Sequence, residues 1–324
     1  MKSLKMIAVG LCLALVLSFA MVGCTNKDKN NGSSSSSAPI TTTTTTTTTS
    51  GNTTSEPTTS GTTTGNGTDS GAITSTPESQ EPSAPALQSD LAGLANLPTK
   101  AQGWGQGVEV NDKNQPTGSI MFQEKYGKYN AYYIAPDEGN HIYLTFDEGY
   151  ENGYTSQILD VLKEKKCSAV FFVTYDYVSK NADLVKRMID EGHVVGNHSY
   201  THPHFPETSL EKAQEDIVKL HDYVKENFGY TMTLFRFPYG EFSEQMLGLL
   251  DSLGYKTLFW SWAYKDWDVN NQPDTASAYE KICKGEHPGA IYLLHAVSKT
   301  NTAILGDVID HMRQSGYNVA KFAL

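Results

Sequence analysis

The stretch His141-Ile142-Tyr143-Leu144-Thr145-Phe146-Asp147-Glu148-Gly149 has the composition of a buried strand that ends in two acids. Most of its side chains are aliphatic, aromatic or β-branched, which is typical of strands in a parallel sheet. Six similar runs follow, separated by amphipathic stretches of helical length, and this alternation predicts βα units. The predicted strands cover residues 141–146, 169–174, 193–197, 234–237, 257–262, 291–295 and 318–322. The predicted fold class is α/β, as a small (β/α) barrel or an open sheet.

Reactive side chains follow the ends of five of these predicted strands. In a parallel barrel the carboxyl ends of the strands lie on one face, where active sites are built. We therefore expect these side chains to meet, and their common placement indicates an enzyme. They are Asp147 and Glu148 after the first strand, His198 and His202 after the third, Arg236 and Tyr239 at the fourth, Asp266 and Trp267 after the fifth, and His295 at the sixth.

The spacing of His198 and His202 is typical of a metal site. Two histidines four residues apart lie one helical turn apart, so both can face one metal ion. Two histidines with a carboxylate and an open position for water form the pattern of hydrolytic zinc sites. Of the two adjacent acids, Asp147 and Glu148, one can bind the metal while the other acts as a base. Arg236 lies among apolar residues and is expected to pair with a carboxylate.

Five segments resemble the motifs of the polysaccharide deacetylase family, the NodB-like carbohydrate esterases. The resemblance covers residues 145 to 295 and implies a distorted (β/α) barrel, a divalent metal and removal of acetyl groups from a polysaccharide. Zinc is the metal most expected, with cobalt, manganese or nickel as alternatives. The segments are Thr145-Phe146-Asp147-Glu148, His198-Ser199-Tyr200-Thr201-His202-Pro203, Arg236-Phe237-Pro238-Tyr239-Gly240, Asp266-Trp267 and Leu293-Leu294-His295.

The resemblance also implies a role for each motif residue. Metal ligands would be His198, His202 and Glu148, where Glu148 replaces the family's more usual Asp. The remaining roles fall to side chains around the reacting acetamide. Asp147 would be the base, held by Arg236; His295 would be the acid, oriented by Asp266; the backbone N–H of Tyr239 would bind the oxyanion; and Trp267 would wall the acetyl pocket.

A narrower resemblance concerns the substrate. Residues 147–155, 259–267 and 287–295, together with Gly103-Trp104-Gly105, are similar to the delta-lactam-biosynthetic de-N-acetylases of sporulating bacteria. That group acts on N-acetylmuramic acid in the peptidoglycan of the spore cortex, so a peptidoglycan glycan strand is the expected partner. The alternatives are a deacetylase of N-acetylglucosamine in vegetative peptidoglycan, or of chitin- or xylan-like polymers. A further alternative is an inactive glycan-binding module.

The first third of the chain predicts export rather than a folded core. Lys2 and Lys5 precede an apolar run over residues 6–22 that ends before Cys24, as in a secretory signal. The segment resembles a bacterial lipoprotein signal, with Cys24 lipidated, and an ordinary cleaved signal is the alternative. Residues 25–97 are rich in Ser, Thr, Gly and Pro and are predicted to be a disordered tether or spacer. The catalytic domain is predicted over residues 98–324, with an N-terminal extension over 98–140.

Charge and residue content add further expectations about binding partners, location and side-chain state. The 324 residues carry a formal net charge of -11, which argues against binding nucleic acid. From the signal and Cys24, the expected location is outside the cytoplasm, on the membrane through the lipid and facing the cell wall, as a monomer. Cys167 and Cys283 are expected to be free thiols rather than a disulfide. Trp260 and Trp262 are expected to share one mainly buried strand face, and the histidines outside the motifs, including His311, are interpreted as structural.

Overall fold

The computed structural model describes residues 87–136 and 139–323. The predicted signal, the lipidation residue Cys24 and the linker up to residue 86 lie outside the described residues. Cys167 and Cys283 are both free thiols, as predicted. Within the described part of the chain, no helix combines the length and apolar character that a membrane span requires.

Short strands and intervening helices alternate along the described chain, as the sequence predicts. The strands are β1 Gln102–Gly103, β2 Ala131–Tyr132, β3 His141–Glu148, β4 Val170–Val173, β5 Val194–Asn197, β6 Leu234–Phe235, β7 Glu241–Phe242, β8 Lys256–Leu258, β9 Trp262–Ala263, β10 Ala290–His295 and β11 Asn318–Val319. The α-helices are α1 Leu91–Leu94, α2 Thr117–Tyr126, α3 Thr155–Glu164, α4 Tyr175–Lys180, α5 Ala182–Asp190, α6 Leu210–Phe228, α7 Glu244–Ser252, α8 Thr275–Lys284 and α9 Lys299–Gln314.

Nine of these strands form one parallel sheet, which confirms the predicted α/β class. Its order is β2-β8-β6-β5-β4-β3-β10-β9, with β11 also paired to β3. All of its pairings are parallel. No pairing joins β2 to β9 in the described residues, so the sheet is an incompletely closed, distorted barrel. The carboxyl ends of β3, β5, β6 and β10 consequently lie along the same edge.

Alternation along β3 divides its side chains between two apolar layers. Ile142, Leu144 and Phe146 belong to the large core beneath the helices, whereas Tyr143 belongs to a smaller cluster on the other face of the sheet. Because successive side chains of a strand point to opposite faces, Asp147 shares the face of Tyr143. Glu148, the last residue of β3, shares the helix-covered face with Phe146.

The predicted strand over 257–262 is divided in the structure. It forms β8 and β9 separately, and the N–H of Ser261 in the break donates to the carbonyl of Ile291 at 3.0 Å. Trp260 therefore lines the central cavity, whereas the ring of Trp262 packs against Tyr292, with ring centroids 4.8 Å apart. Both tryptophans pack in the large core, as predicted, but they do not lie on one continuous strand, because the strand is interrupted before Trp262.

The N-terminal extension is anchored by a buried tryptophan. The indole N–H of Trp104 donates to the carbonyl of Trp260 at 2.9 Å, and its ring contacts Phe122 and Tyr133 at centroid distances of 4.8 and 4.6 Å. Strand β1 pairs antiparallel with β7, which joins the extension to the segment after β6. The extension thereby reaches the carboxyl-end face of the sheet.

Residues 87–97, which the sequence assigns to the linker, pack on the folded domain instead. Leu87, Leu91 and Leu94 contact the large core, and helix α1 lies against α7. Leu97 also approaches Gly248 closely enough that a Cβ there would come within 2.5 Å of its side chain. The apolar spacing of these leucines provides a face to bury, and the folded domain therefore begins before residue 98.

Candidate active site

A cavity of ≈ 700 Å³ lies at the carboxyl ends of the parallel strands. The structure brings most of the predicted site residues to its walls, although they come from segments far apart in sequence. Asp266 and Arg236 lie directly behind the wall, each bonded to a side chain that faces the cavity. The predicted residues that line the cavity are Asp147, His198, His202, Tyr239, Trp267 and His295.

A buried ion pair between Arg236 and Asp147 lies at the base of the cavity. One guanidinium nitrogen of Arg236 donates to Asp147 Oδ1 at 2.8 Å and to Thr145 Oγ1 at 2.7 Å. The other nitrogens donate to the carbonyls of Leu258 at 2.9 Å and Phe259 at 3.0 Å. Burial opposes ionisation of Asp147, but the charges of Arg236 and nearby histidines outweigh it, so the pKa of Asp147 lies below its usual value. The predicted carboxylate partner of Arg236 is thus present, and it is ionised.

The guanidinium of Arg236 also stacks on an aromatic ring of β4. Its central carbon lies 4.3 Å from the centroid of Phe172. Phe172 in turn fills the space above Gly196 on β5, where a Cβ would come within 2.5 Å of the ring. The absence of a side chain at Gly196 therefore leaves space for the Phe172 ring. The cation–π contact of this ring with Arg236 adds to the hydrogen bonds that fix the guanidinium.

His198 and His202 lie side by side, although their segment is a loop rather than the helical turn that the spacing suggested. Their ring centroids are 4.9 Å apart with an interplanar angle of 77°. The Ser199 hydroxyl accepts from the backbone N–H of His202 at 2.9 Å, and both Ser199 and His202 have positive φ, at 74° and 56°. Hydrogen bonds within the loop therefore hold the two imidazoles together in place of a helix.

The two imidazoles are suited to binding a divalent metal ion. The Nδ1–H of His198 donates to the carbonyl of Arg236 at 2.9 Å, which leaves its Nε2 lone pair 3.6 Å from Asp147 Oδ2. Such a bond from the second ring nitrogen is the usual support of a histidine ligand. Burial lowers the pKa of His198 and lowers that of His202 to about 4, so both rings are neutral, as metal binding requires. The donor set fits the divalent metal expected from the sequence.

Glu148 is not brought to the two histidines. It ends β3 on the helix-covered face, is fully buried, and interacts with Glu151 and Thr155. Burial, followed by the charges of Glu151 and Asp147, raises the pKa of Glu148 well above its usual range. Its carboxyl group is therefore neutral. The structure therefore does not place Glu148 among the residues that line the cavity with His198 and His202, because strand alternation turns it away from the face that Asp147 shares with the cavity.

His295 forms a close pair with Asp266 at the end of β10, beside Asp147 on β3. Its Nδ1 lies 2.7 Å from Asp266 Oδ1, and its backbone N–H donates to Asp266 Oδ2 at 2.9 Å. Asn301 donates to the same Oδ2 at 2.5 Å, so Asp266 is fixed from three sides. Burial lowers the pKa of His295, but Asp266 more than offsets this effect and the pKa lies above its usual value. The Trp267 ring lies 5.6 Å from this imidazole.

Tyr239 lies at the rim in a left-handed backbone conformation, with φ of 59°. Its ring is 55% exposed and stacks on the His204 ring, with centroids 4.4 Å apart. His204 itself pairs with Glu241 at 2.6 Å rather than joining His198 and His202.

Several cavity residues were missed by the motif analysis. Gln106, from the extension, accepts from the Trp260 indole N–H at 3.0 Å and donates to the Ala263 carbonyl at 3.1 Å. Tyr150 and Lys265 also line the cavity. Tyr150 and Lys265 lie close to predicted motif residues in the sequence, and that proximity could have indicated that they line the cavity. Gln106 follows Gly103-Trp104-Gly105 at a distance from every predicted strand, so only the three-dimensional pairing of β1 with β7 reveals its place.

Comparison with known proteins identifies the family of this chain. A family model described as polysaccharide deacetylase matches residues 135–258. The muramic acid deacetylase PdaA of Bacillus subtilis is 40% identical over 236 residues, which are 72% of this chain and 89% of PdaA. The chain belongs to the polysaccharide deacetylase family. The crystal structure of PdaA, described as a family 4 carbohydrate esterase, matches with a TM-score of 0.66 and 39% identity over 69% of this chain and 96% of that one.

Two other relatives of this deacetylase show the range of similarity. An uncharacterised protein of Geobacillus stearothermophilus is 46% identical over 228 residues, which are 70% of this chain and 84% of that protein. The peptidoglycan-N-acetylglucosamine deacetylase PgdA of Listeria monocytogenes is 35% identical over 176 residues, which are 54% of this chain and 36% of PgdA. The similarity to PdaA thus extends over more of both chains than the similarity to PgdA.

The adjacent acids Asp147 and Glu148 provide a matched test of the site. Asp147→Asn is expected to lower kcat/KM for deacetylation by about 100- to 10,000-fold, the range typical for loss of an acid or base group. Glu148→Gln is expected to keep most of the activity, because an amide replaces a neutral carboxyl that faces away from the cavity. Acetate release by each purified variant measures the effect, with circular dichroism as a check on folding. Equal losses in both variants would contradict the separation of roles.

The pair of His295 and Asp266 predicts a change in pH dependence. His295 is expected to be the acid of the reaction, and an acid must be protonated to act, so activity is expected to fall as the pH rises through the pKa of His295. Asp266 raises that pKa, and Asp266→Asn is therefore expected to move the alkaline limb of the kcat/KM profile to lower pH. Rates of acetate release measured across the pH range in both proteins check this shift. An unchanged alkaline limb would show that His295 does not set it.

Proposed function

We propose that this chain is a metal-dependent de-N-acetylase of peptidoglycan that acts on N-acetylmuramic acid. The observation that carries the proposal is the position of Asp147. It is ionised by its pair with Arg236 and lies 3.6 Å from the neutral Nε2 of His198, in the cavity that also contains His295. A base, a pair of metal-binding imidazoles and an acid in one cavity are the components that hydrolysis of an amide needs.

His198 and His202 would hold the divalent ion. Zinc suits two neutral imidazoles, and cobalt, manganese and nickel are alternatives with related preferences. Such an ion, when bound, acts as a Lewis acid and lowers the pKa of a water molecule attached to it. Asp147 Oδ2 is the carboxylate oxygen close to this position, since Arg236 occupies Oδ1.

Asp147 is proposed as the general base. Arg236 donates to Oδ1 at 2.8 Å and is itself held by the Thr145 hydroxyl, which leaves Oδ2 to accept the proton of the attacking water. Because its pKa is depressed, Asp147 is ionised at neutral pH and ready to accept that proton. The oxygen of the water then bonds to the acetamide carbon. The oxyanion formed there is proposed to bind the backbone N–H of Tyr239.

His295 is proposed as the general acid. Its raised pKa keeps the imidazolium populated at neutral pH, and Asp266 fixes the ring through Nδ1, so that Nε2 is left for the substrate. The proton of His295 passes to the sugar nitrogen as the bond between carbon and nitrogen breaks, and acetate and a free amine are released. Trp267, next to His295, is proposed to form the wall against which the acetyl group lies.

Exposed aromatic rings at the cavity rim suit a glycan substrate. Tyr150, Tyr239 and Trp267 are 48%, 55% and 52% exposed, although large apolar side chains are usually more buried. Such rings offer flat apolar surface to a sugar ring, with polar groups nearby. The choice of muramic acid rests on the resemblance to the delta-lactam group and on the similarity to PdaA. Deacetylation of muramic acid would then precede formation of the muramic delta-lactam during sporulation.

Analysis of reaction products tests the substrate. Glycan strands with and without peptide stems, incubated with the enzyme and zinc, are expected to yield muramic residues lighter by one acetyl group in mass spectra, and Asp147→Asn is the matched control. Acetyl loss from N-acetylglucosamine instead would support the alternative that PgdA represents. Binding without acetate release in the presence of zinc, cobalt, manganese or nickel would identify an inactive glycan-binding module.

We also propose that Cys24 anchors the protein to the outer face of the membrane as a monomeric lipoprotein. Lipid on Cys24 and a tether up to residue 86 would place the domain near the cell wall. In a bacterium that processes lipoproteins, the wild-type protein is expected in the detergent phase after phase separation, and Cys24→Ser in the aqueous phase. Both proteins are expected to deacetylate soluble glycan equally. Equal partitioning of the two would argue for an ordinary cleaved signal.

A further inference from the structure

We infer that this chain binds a second transition-metal ion of the zinc class between α8 and α9, through Cys283, Glu286 and His311. Cys283 lies in α8, Glu286 follows that helix, and His311 lies in the last turn of α9. The cluster is distinct from the catalytic cavity. Glu286 precedes β10 and His295 ends it, so roughly 17 Å of strand separate the cluster from the acid of the active site.

The three donor atoms have the spacing that one ion requires. The thiol sulfur, one carboxylate oxygen and one imidazole nitrogen all lie within 4.8 Å of one another. Glu286 Oε1 and His311 Nε2 are 3.7 Å apart. Bond lengths of zinc to nitrogen, oxygen and sulfur in a tetrahedral site place neighbouring donors about 3.4 to 3.6 Å apart. Small side-chain movements would bring all three donors to one ion.

An unsatisfied carboxylate oxygen independently indicates a ligand at this place. The Glu286 side chain is 8% exposed, and its Oε1 has no hydrogen-bond partner among the described residues. Oε1 instead points to His311 Nε2, at a distance too long for a hydrogen bond. A buried carboxylate oxygen is costly without a partner. A metal ion between Cys283 and His311 would supply the missing partner.

The local fold positions these donors before any ion binds. The Glu286 N–H donates to the Cys283 carbonyl at 3.2 Å, so the turn at the end of α8 places both side chains on one side. The Asn114 amide donates to the carbonyls of Lys284 and Glu286, at 3.0 and 2.8 Å, and fixes this turn to the N-terminal extension. The ring of Tyr279, also in α8, packs edge-on against His311 of α9 with centroids 5.8 Å apart.

The donor types select the class of metal. A thiolate with an imidazole and a carboxylate favours zinc and cobalt, whereas calcium and magnesium prefer sites built of oxygen. Binding would release the thiol proton of Cys283 to solvent as the bond from sulfur to metal forms. Three protein ligands leave the fourth position to water. The ion would connect α8, which follows the loop that carries Asp266, to α9, which follows the strand that ends in His295.

Cobalt titration of the reduced full-length chain tests the inference. A cobalt–thiolate bond gives a charge-transfer absorption in the near ultraviolet, which the nitrogen and oxygen donors of the catalytic cavity do not produce. We expect the amplitude of this band at saturation to correspond to one cobalt–thiolate site per chain. It should be lost in Cys283→Ser and kept in Cys167→Ser, the matched control for the second free thiol of the folded domain. No band in the wild type, or a band that persists in Cys283→Ser, would overturn the inference.

Two further readouts separate binding from folding. Cys283→Ser and Glu286→Gln are expected to retain deacetylase activity, because neither residue contacts the catalytic cavity, and retained activity shows that each variant is folded. Glu286→Gln is expected to weaken the affinity for zinc at this site about tenfold or more, measured by competition with a chromophoric chelator. An active Glu286→Gln protein with unchanged zinc affinity would remove Glu286 from the ligand set and overturn the inferred site.

Discussion

The active site depends on one buried guanidinium group. The side chain of Arg236 binds Asp147, the proposed base, while its backbone carbonyl receives the Nδ1–H of His198. The same residue therefore orients the carboxylate and one of the two imidazoles proposed to bind the metal. A buried charged group needs polar partners around it, because removal of one partner of a buried ion pair typically lowers the stability of the fold by about 3–5 kcal/mol. Thr145 and the carbonyls of Leu258 and Phe259, at the end of β8, complete that match and connect strands β3, β6 and β8 around the arginine.

Most of the fold could be predicted because its signals are local. The apolar runs identified the main strands, and the polar residues at their ends identified one face of the barrel, since parallel strands carry their carboxyl ends together. The structure places Asp147, His198 and His295 on one cavity even though they are separated by about fifty or more residues from one another. That convergence follows from topology, which the alternation of elements determines.

The sequence-based expectations differ from the structure where the exact position of a residue within a strand, or a contact between distant segments, decides the direction of a side chain. Glu148 differs from Asp147 by one residue, yet the end of β3 extends two residues beyond the predicted strand and turns the side chain of Glu148 under the helices. Ser261 interrupts a run that resembles a continuous strand, which separates Trp260 from Trp262. Gln106 and the cluster of Cys283 with His311 depend on contacts between distant segments, and no local pattern in the sequence reports such contacts.

Three residues at the cavity, Ser199, His202 and Tyr239, have left-handed backbones although none is glycine. This conformation disfavours each of them by roughly 1–2 kcal/mol, in a domain whose net stability is expected to be about 5–15 kcal/mol. Selection for heat resistance would gain most easily by relaxing these positions, but relaxation would also displace the imidazoles and the amide beside them. Relatives of this enzyme that function at higher temperature would therefore have to gain stability in the helices, while Ser199, His202 and Tyr239 keep their left-handed backbone conformation.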